Sequence, residues 1–511
     1  MSAAIFQGDA SRYEFVKMPF AQQFAAIGNG TVDLSTEETT HTMQRDIREP
    51  LSHIGFTFSN AFFFSGTMFA GIPEFVDCAD RGETLVGSCR DLSVCVLEGS
   101  VTEIIVQNHL GGSVSNKVSF SGDMFARLSD GTCNVITSVP LIITEQRARE
   151  AGYTGPYVFG TQFFSRDPLA LTTRNDDPQF GDLVNWVLRA LVVAETLNIT
   201  QATADQFPTT DLFGEENSQM FQHAIAAVGN YGELYERWYE DKVERGEAGM
   251  NTPHLRSEDG GLLYPNPLGN IGVGSVGANE IQPAPVPNGT LDTINQRQQL
   301  YCGIVVGRPG LADWNETMNA WSGIDVDYCK GLASAVFGGG DVHEALVLMD
   351  FETLEEGFAA LANKELDVMS GATYNMMNDV REPTTEQGFT FGSIYYYHNG
   401  EVDQEPEGTV WPLAMATRED DVQWSDFVRL ISLSAIHAEA NGITQQTAID
   451  MPTLELFGPL YRQAMRDVVL WIGNSADIYE RNMEQYIPRV ENRRNTLHSG
   501  GTPLFYANWK F

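Results

Sequence analysis

Gly229-Asn230 followed by Tyr235-Glu236-Arg237 returns as Gly473-Asn474 followed by Tyr479-Glu480-Arg481, with the spacing unchanged. The same offset carries Asp182-Leu183-Val184 into Asp426-Phe427-Val428, and Glu195 with Ile199-Thr200-Gln201 into Glu439 with Ile443-Thr444-Gln445. An earlier block holds Phe24-Ala25-Ala26, Asn29, Asp33, Arg48-Glu49-Pro50 and Phe56-Thr57-Phe58. It recurs as Phe358-Ala359-Ala360, Asn363, Asp367, Arg381-Glu382-Pro383 and Phe389-Thr390-Phe391. The offset there is different, so the two copies differ in length between the blocks. A repeat of about half the chain reads as two duplicated globular domains, because solenoid units run to only about 20–50 residues. The boundary falls near residue 290, giving copies over 1–290 and 291–511.

Within the copies, β-rich runs alternate with helical stretches: Leu300 to Val306, Asp325 to Phe337, Ala345 to Met349, Leu354 to Leu361. That alternation predicts an α/β fold. Apolar residues at 183, 184, 187, 188, 191, 194 and 197 form a wide stripe at helical spacing, and Phe427 to Ala440 repeats it. Between the copies, Asn251 to Gln296 contains Pro253, Pro265, Pro267, Pro283, Pro285 and Pro287, and reads as an irregular tail and linker.

The formal charge of -37 arises from 68 acidic against 31 basic residues in 511, and only six of the basic ones are lysine. Nucleic acid and anionic membrane are poor partners for such a chain, since each phosphate contact needs a cation to displace a counterion. The acidic surface is read first as adaptation to a salty medium or as a solubilising shell, and last as the complement of a basic partner. No run of 18 apolar residues appears, so no membrane insertion is expected. The start, Met1-Ser-Ala-Ala-Ile-Phe, has no signal-peptide pattern, which predicts a soluble chain whose targeting segment has been removed. The six cysteines, at 78, 89, 95, 133, 302 and 329, form no CxxC, so no metal site and no cofactor are expected.

Tyr301-Cys-Gly-Ile-Val-Val-Gly-Arg-Pro-Gly, Trp321-Ser-Gly-Ile-Asp-Val-Asp-Tyr-Cys-Lys and Ala335-Val-Phe-Gly together resemble the opening of the polar amino-acid-binding proteins of ABC importers. The resemblance implies two homologous, incomplete solute-binding-protein-like halves and a disulfide between Cys302 and Cys329. Leu92-Ser-Val-Cys-Val-Leu-Glu-Gly-Ser-Val-Thr-Glu and Gly131-Thr-Cys-Asn-Val-Ile-Thr look like strands of the second lobe, which implies a Cys95–Cys133 bridge. Copy one opens at Ala3-Ala4-Ile5-Phe6, matching Ser334-Ala335-Val336-Phe337, so it lacks the first strand and nearly all of the first helix. Copy two passes from Tyr395-Tyr-Tyr-His-Asn-Gly through a short link to Trp411-Pro-Leu-Ala and omits nearly all of the second lobe.

In that family an arginine and hydroxyls of lobe one take the ligand carboxylate and an aspartate of lobe two takes the ammonium. By resemblance, Arg45 with Thr40 and Thr42 matches the first group, and Ser100 and Thr102 follow Gly99. Valine stands at the ammonium position, Val139, and Asn378 replaces Arg45 in copy two. Blander readings compete: Arg45 beside Asp46, Arg48 and Glu49 reads equally as part of a surface ion network, and Ser100 and Thr102 as helix caps. Asp325 and Asp327 read as a strand or helix entry before a metal site. The aromatic runs Phe62-Phe63-Phe64 and Tyr395-Tyr396-Tyr397 read as core strands, unless the missing parts leave them facing another chain.

No nucleophile with a partner histidine stands at motif spacing, so the chain reads as non-enzymatic. The expectation placed first is a structural protein that self-assembles into a lattice or shell, its partner a further copy of itself. By architecture alone it looks like the shell proteins enclosing diatom pyrenoids, which implies a plastid location. The alternative is an extracytoplasmic amino-acid-binding protein, with a free amino acid as partner at Thr40, Thr42, Arg45, Ser100 and Thr102, periplasmic or extracellular.

Overall fold

The computed structural model describes residues 1–240, 245, 251, 267–272, 284–317, 319–339, 342, 344–399 and 410–497. It is an α/β protein with two compact units, one over Met1–Arg12, Asn175–Leu234 and Gly246–Phe511, the other over Tyr13–Arg174 and Tyr235–Arg245. Most of the Pro-rich stretch between the copies, including Pro253, Pro265 and Pro283, lies outside the described residues, as does the link at 401–409. The end of that stretch departs from the expected linker. Thr290–Arg297 is a helix, with Leu291 and Ile294 buried.

The unit over 13–174 holds two sheets. In the first, β9 (Asp167–Arg174) lies between β1 (Ser35–Thr40) and β2 (Phe56–Phe58) and also pairs β3 (Phe63–Ser65), all antiparallel. The second runs β6 (Ser115–Val118), β5 (Val94–Leu97), β7 (Val135–Ser138), β4 (Met68–Gly71), β8 (Val158–Phe159). Its β5 is parallel to both neighbours and β4 antiparallel to both. The chain passes from the first sheet to the second between Ser65 and Met68 and returns between Phe159 and Asp167, so the start of β9 stands where the two sheets meet.

In the other unit β10 (Leu300–Val305) is followed by the small hairpin of β11 (Asp313–Asn315) and β12 (Ala320–Ser322). The main sheet continues with β13 (Leu346–Phe351), β14 (Val368–Thr373), β15 (Phe389–Phe391), β16 (Tyr396–Asn399) and β17 (Val410–Arg418). Its order is β13-β10-β14-β17-β15, with β16 also on β17. Four of these strands repeat the first sheet in register. Phe56 faces Arg174 as Phe389 faces Arg418, and Phe63 faces Leu169 as Tyr396 faces Leu413. Among the described residues no strand of the first sheet corresponds to β10 or β13, and β1 pairs on one side only.

The repeated residues do the same local work in both places. The helices Pro178–Thr196 and Val422–Ala440 each span 19 residues behind an aspartate cap, Asp177 and Asp421. Thr200 with Thr203, and Thr444 with Thr447, form matching capping boxes. Gly229 and Gly473 end a helix at positive φ, where a Cβ would be strained. The following Asn230 and Asn474 then bond Ile199 O at 2.8 Å and Ile443 O at 2.9 Å.

Compactness does not follow the sequence boundary near 290. The Pro178–Thr196 helix, expected with copy one, joins the unit that holds copy two. There Trp186, 0% exposed, donates its indole N–H to Asp379 at 2.7 Å, while Asn185 and Arg189 donate to the Tyr374 hydroxyl. Burying an indole with its one donor satisfied outweighs proximity along the chain. The helix starts earlier than its apolar stripe because Asp177 caps it and Pro178 suits the first helical position.

The aromatic runs lie in the core: Phe63, Phe64, Tyr395, Tyr396 and Tyr397 are all buried. Asp325 and Asp327 open the helix Ile324–Phe337; Asp325 bonds Arg308 and the Tyr395 hydroxyl, and Asp327 bonds Arg481 and Asn482. Cys302–Cys329 and Cys95–Cys133 are bonded, as are Cys78 and Cys89, which the sequence reading left unpaired. The Cys302–Cys329 bridge joins β10 to that helix across a separation of 27 residues. Replacing both with serine should cost about 3 kcal/mol in a denaturant titration, by loop-closure entropy. An unchanged midpoint would mean that packing alone holds the helix to the strand.

Candidate functional site

Arg45 sits on the short helix Met43–Ile47, whose first turn is capped by the Thr42 hydroxyl accepting from the Arg45 N–H at 3.3 Å. Its guanidinium donates to Thr40 O at 2.6 Å and, across to the second sheet, to Gly99 O at 3.1 Å. The side chain is 4% exposed and lies 5.2 Å from the Phe24 ring centre. No described side chain forms an ion pair with it. Burial pulls its pKa down to about 10, against the longer-range pull of Glu49 and Asp167. A buried cation that bonds only carbonyls is a costly arrangement, because desolvation is only partly compensated.

The opposite wall is the loop before the helix Val101–Leu110. Ser100 is fully used as its cap, accepting from Glu103 N–H at 3.2 Å and donating to Leu97 O at 2.7 Å. Thr102 lies 3.3 Å, oxygen to oxygen, from Thr67 in the crossover between the sheets. The structure therefore gathers Thr40, Thr42 and Arg45 on one side and Gly99, Ser100 and Thr102 on the other. The hydroxyls of Thr42 and Ser100 serve the backbone, that of Thr102 lies at the seam, and Thr40 contributes its carbonyl to Arg45.

Asp167, which the sequence reading passed over, belongs to the same seam. It is 2% exposed, its Oδ2 accepts from the Ser165 hydroxyl at 2.9 Å, and its Oδ1 has no hydrogen-bond partner. Burial lifts its carboxyl to about 6, against the Ser165 hydroxyl and Arg45. The one sequence signal was register: Asp167 faces Ser65 as Trp411 faces His398, so a charge stands where the other copy carries an indole. Val139, at the expected ammonium position, is buried and apolar.

The segment 375–380 of the other unit keeps the backbone arrangement of this site without its charge. Asn375 caps the helix Met376–Val380, and Asn378 donates to Thr373 O at 2.8 Å as Arg45 does to Thr40 O. That unit instead gathers three carboxyls, Asp182, Asp379 and Glu419, all pushed up chiefly by burial, Asp379 to about 7 and Glu419 to about 8. Glu419 also lines an open cavity of about 900 Å³ with Phe180, Leu183, Arg381 and Gln387. Among the described residues no cluster of His, Cys, Asp or Glu could hold a metal ion, and no helix is long and apolar enough to cross a membrane.

No family model matches the chain. Its relatives are periplasmic amino-acid-binding proteins, at low identity over about half of its length. The general L-amino acid-binding periplasmic protein AapJ of Rhizobium johnstonii is 26% identical over 269 residues, covering 46% of this chain and 72% of the relative. The glutamate/glutamine/aspartate/asparagine-binding protein BztA of Rhodobacter capsulatus is 24% identical over 287 residues, covering 52% and 80%. Among solved structures, a periplasmic binding protein from Brucella ovis with glutathione bound is 24% identical, with 49% of this chain and 82% of that one covered and a TM-score of 0.41. An ancestral arginine-binding protein bound to glutamine is 16% identical, covering 47% and 84%, with a TM-score of 0.32.

Proposed function

We propose that residues 13–174 form an extracytoplasmic amino-acid-binding module, with Arg45 taking the carboxylate of the ligand. The observation that supports this reading is a buried guanidinium at the meeting of two sheets that bonds two carbonyls and no carboxylate. A ligand carboxylate would supply the missing counter-ion through two parallel charge-assisted bonds, the geometry for which a guanidinium is suited. Binding requires the sheets to part, since the Arg45–Gly99 bond closes the seam. Thr40 and Thr102 then supply hydroxyls from either side.

The relatives are binding proteins rather than enzymes, and they are periplasmic, which favours this reading over a self-assembling shell. Neither a shell nor a plastid finds support among them. Phe63, Phe64 and Tyr395 to Tyr397 are buried, so these rings do not face another chain. Three disulfides suit an oxidising compartment.

Isothermal titration of the whole protein with L-glutamate, L-glutamine, L-aspartate and L-asparagine tests the proposal. We expect one ligand per chain, because Asn378 leaves the second copy without a cation. Arg45→Ala should weaken binding by roughly 30-fold or more, the usual loss when one partner of a buried charge pair is removed. Equal affinity in the variant would overturn the assignment.

A further inference from the structure

We propose that Asp167 takes the ammonium group of the ligand, so that the module selects zwitterions over the corresponding 2-oxo acids. This rests on the carboxylate-binding role given to Arg45. Asp167 opens β9 at the point where the chain returns from the second sheet to the first, and its unpartnered Oδ1 is buried there. A buried acceptor left empty is rare, because it loses its bond to water and gains none in exchange. An ammonium brings three donors and the opposite charge.

The two charges of an amino acid thus meet their complements on a single seam. The internal comparison sharpens the point: in the other copy Arg45 is matched by Asn378 and Asp167 by Trp411, so both charges are absent together. A carboxylate kept only to steady the fold of its strand would have no reason to vanish along with the guanidinium.

The groups facing Asp167 are the Ser165 hydroxyl on its own segment and, from the Met43–Ile47 side, Arg45. Glu49 and the His41–Asp46 pair lie on that same side. The test is titration of the whole protein with L-glutamate and with 2-oxoglutarate, which differ in the amine alone. We expect Asp167→Asn to lose roughly 30-fold or more on glutamate while changing less than about threefold on 2-oxoglutarate. A variant that keeps the wild-type preference overturns the role of Asp167 and leaves Arg45 untouched; a wild type that binds neither probe nor any of the other three amino acids removes both readings.

Should the variant bind neither probe, the wild type decides. Its affinity for glutamate should fall about tenfold between roughly pH 7 and pH 5, as the Asp167 carboxyl takes up a proton, while that for 2-oxoglutarate should not. Parallel pH profiles for the two probes would overturn the proposal.

Discussion

Raising the pH from about 5 to about 9 should destabilise the unit that holds Asp182, Asp379 and Glu419, at a loss on the order of 2 to 3 kcal/mol for Asp379 alone. Burial is the main cause in each case, and the three carboxyls repel one another once ionised: Asp379 acts on Asp182 and Glu419, and Glu419 acts on Asp182. Arg189, Arg429 and the Trp186 N–H oppose the shift of Asp379 without cancelling it. The sign follows from the direction. These carboxyls hold their protons more tightly folded than unfolded, so the stability they contribute is fully present below about pH 4. It drains away as the pH climbs through about 7 and 8, where Asp379 and Glu419 ionise in the fold.

Asp379→Asn mimics the protonated acid, since its amide oxygen can still accept from Trp186. It should match the wild type at about pH 4 or below and exceed it increasingly up to about pH 9, flattening the pH dependence of the denaturant midpoint. A wild type that grows more stable with rising pH would show that the three carboxyls are ionised and paired.

Trp186→Ala should cost about 3 to 5 kcal/mol, the range for emptying a large buried aromatic site. Trp186 is 0% exposed, packs at a tilt against Tyr374 at 5.9 Å between ring centres, and satisfies Asp379 at 2.7 Å. The helix Pro178–Thr196 also holds Asn185 and Arg189 on the Tyr374 hydroxyl, so its docking rests on a few neighbouring groups. Hydrogen exchange should therefore show this helix and Met376–Val380 losing protection together. Trp186→Phe keeps most of the volume and drops the donor, and should cost about 1 to 3 kcal/mol. If the alanine variant exchanged faster in Pro178–Thr196 alone, the helix would be held by contacts other than Trp186.

Much of this architecture was legible beforehand because it rests on short-range chemistry. The alternation of apolar runs placed β10, the helix Ile324–Phe337, β13 and the helix Leu354–Ala362 within a residue or two of their bounds. The recurring Gly-Asn and Thr residues read only as a repeat, and the structure makes them helix ends in both places, since a cap is decided by residues at most four apart. The linker reading failed at Thr290–Arg297, where Leu291 and Ile294 find a core that proline counting does not register.

The candidate site was half legible. Arg45 could be found because a motif surrounds it, whereas Asp167 has no motif, only its alignment with Trp411, and what marks it is being buried with an empty acceptor. Burial is a property of the packed chain, and so is the difference between the Ser100 hydroxyl, spent on a helix end, and that of Thr102, which lies at the seam. The same holds for the partition of the chain. Recurring residues along the sequence suggest matching segments, but which helix packs on which sheet depends on where an indole can be buried with its N–H satisfied, and for Trp186 that place is Asp379, 193 residues away. Local composition sets elements and their ends; contacts between residues far apart in sequence set the units, the buried charges and the pKa values that follow from them.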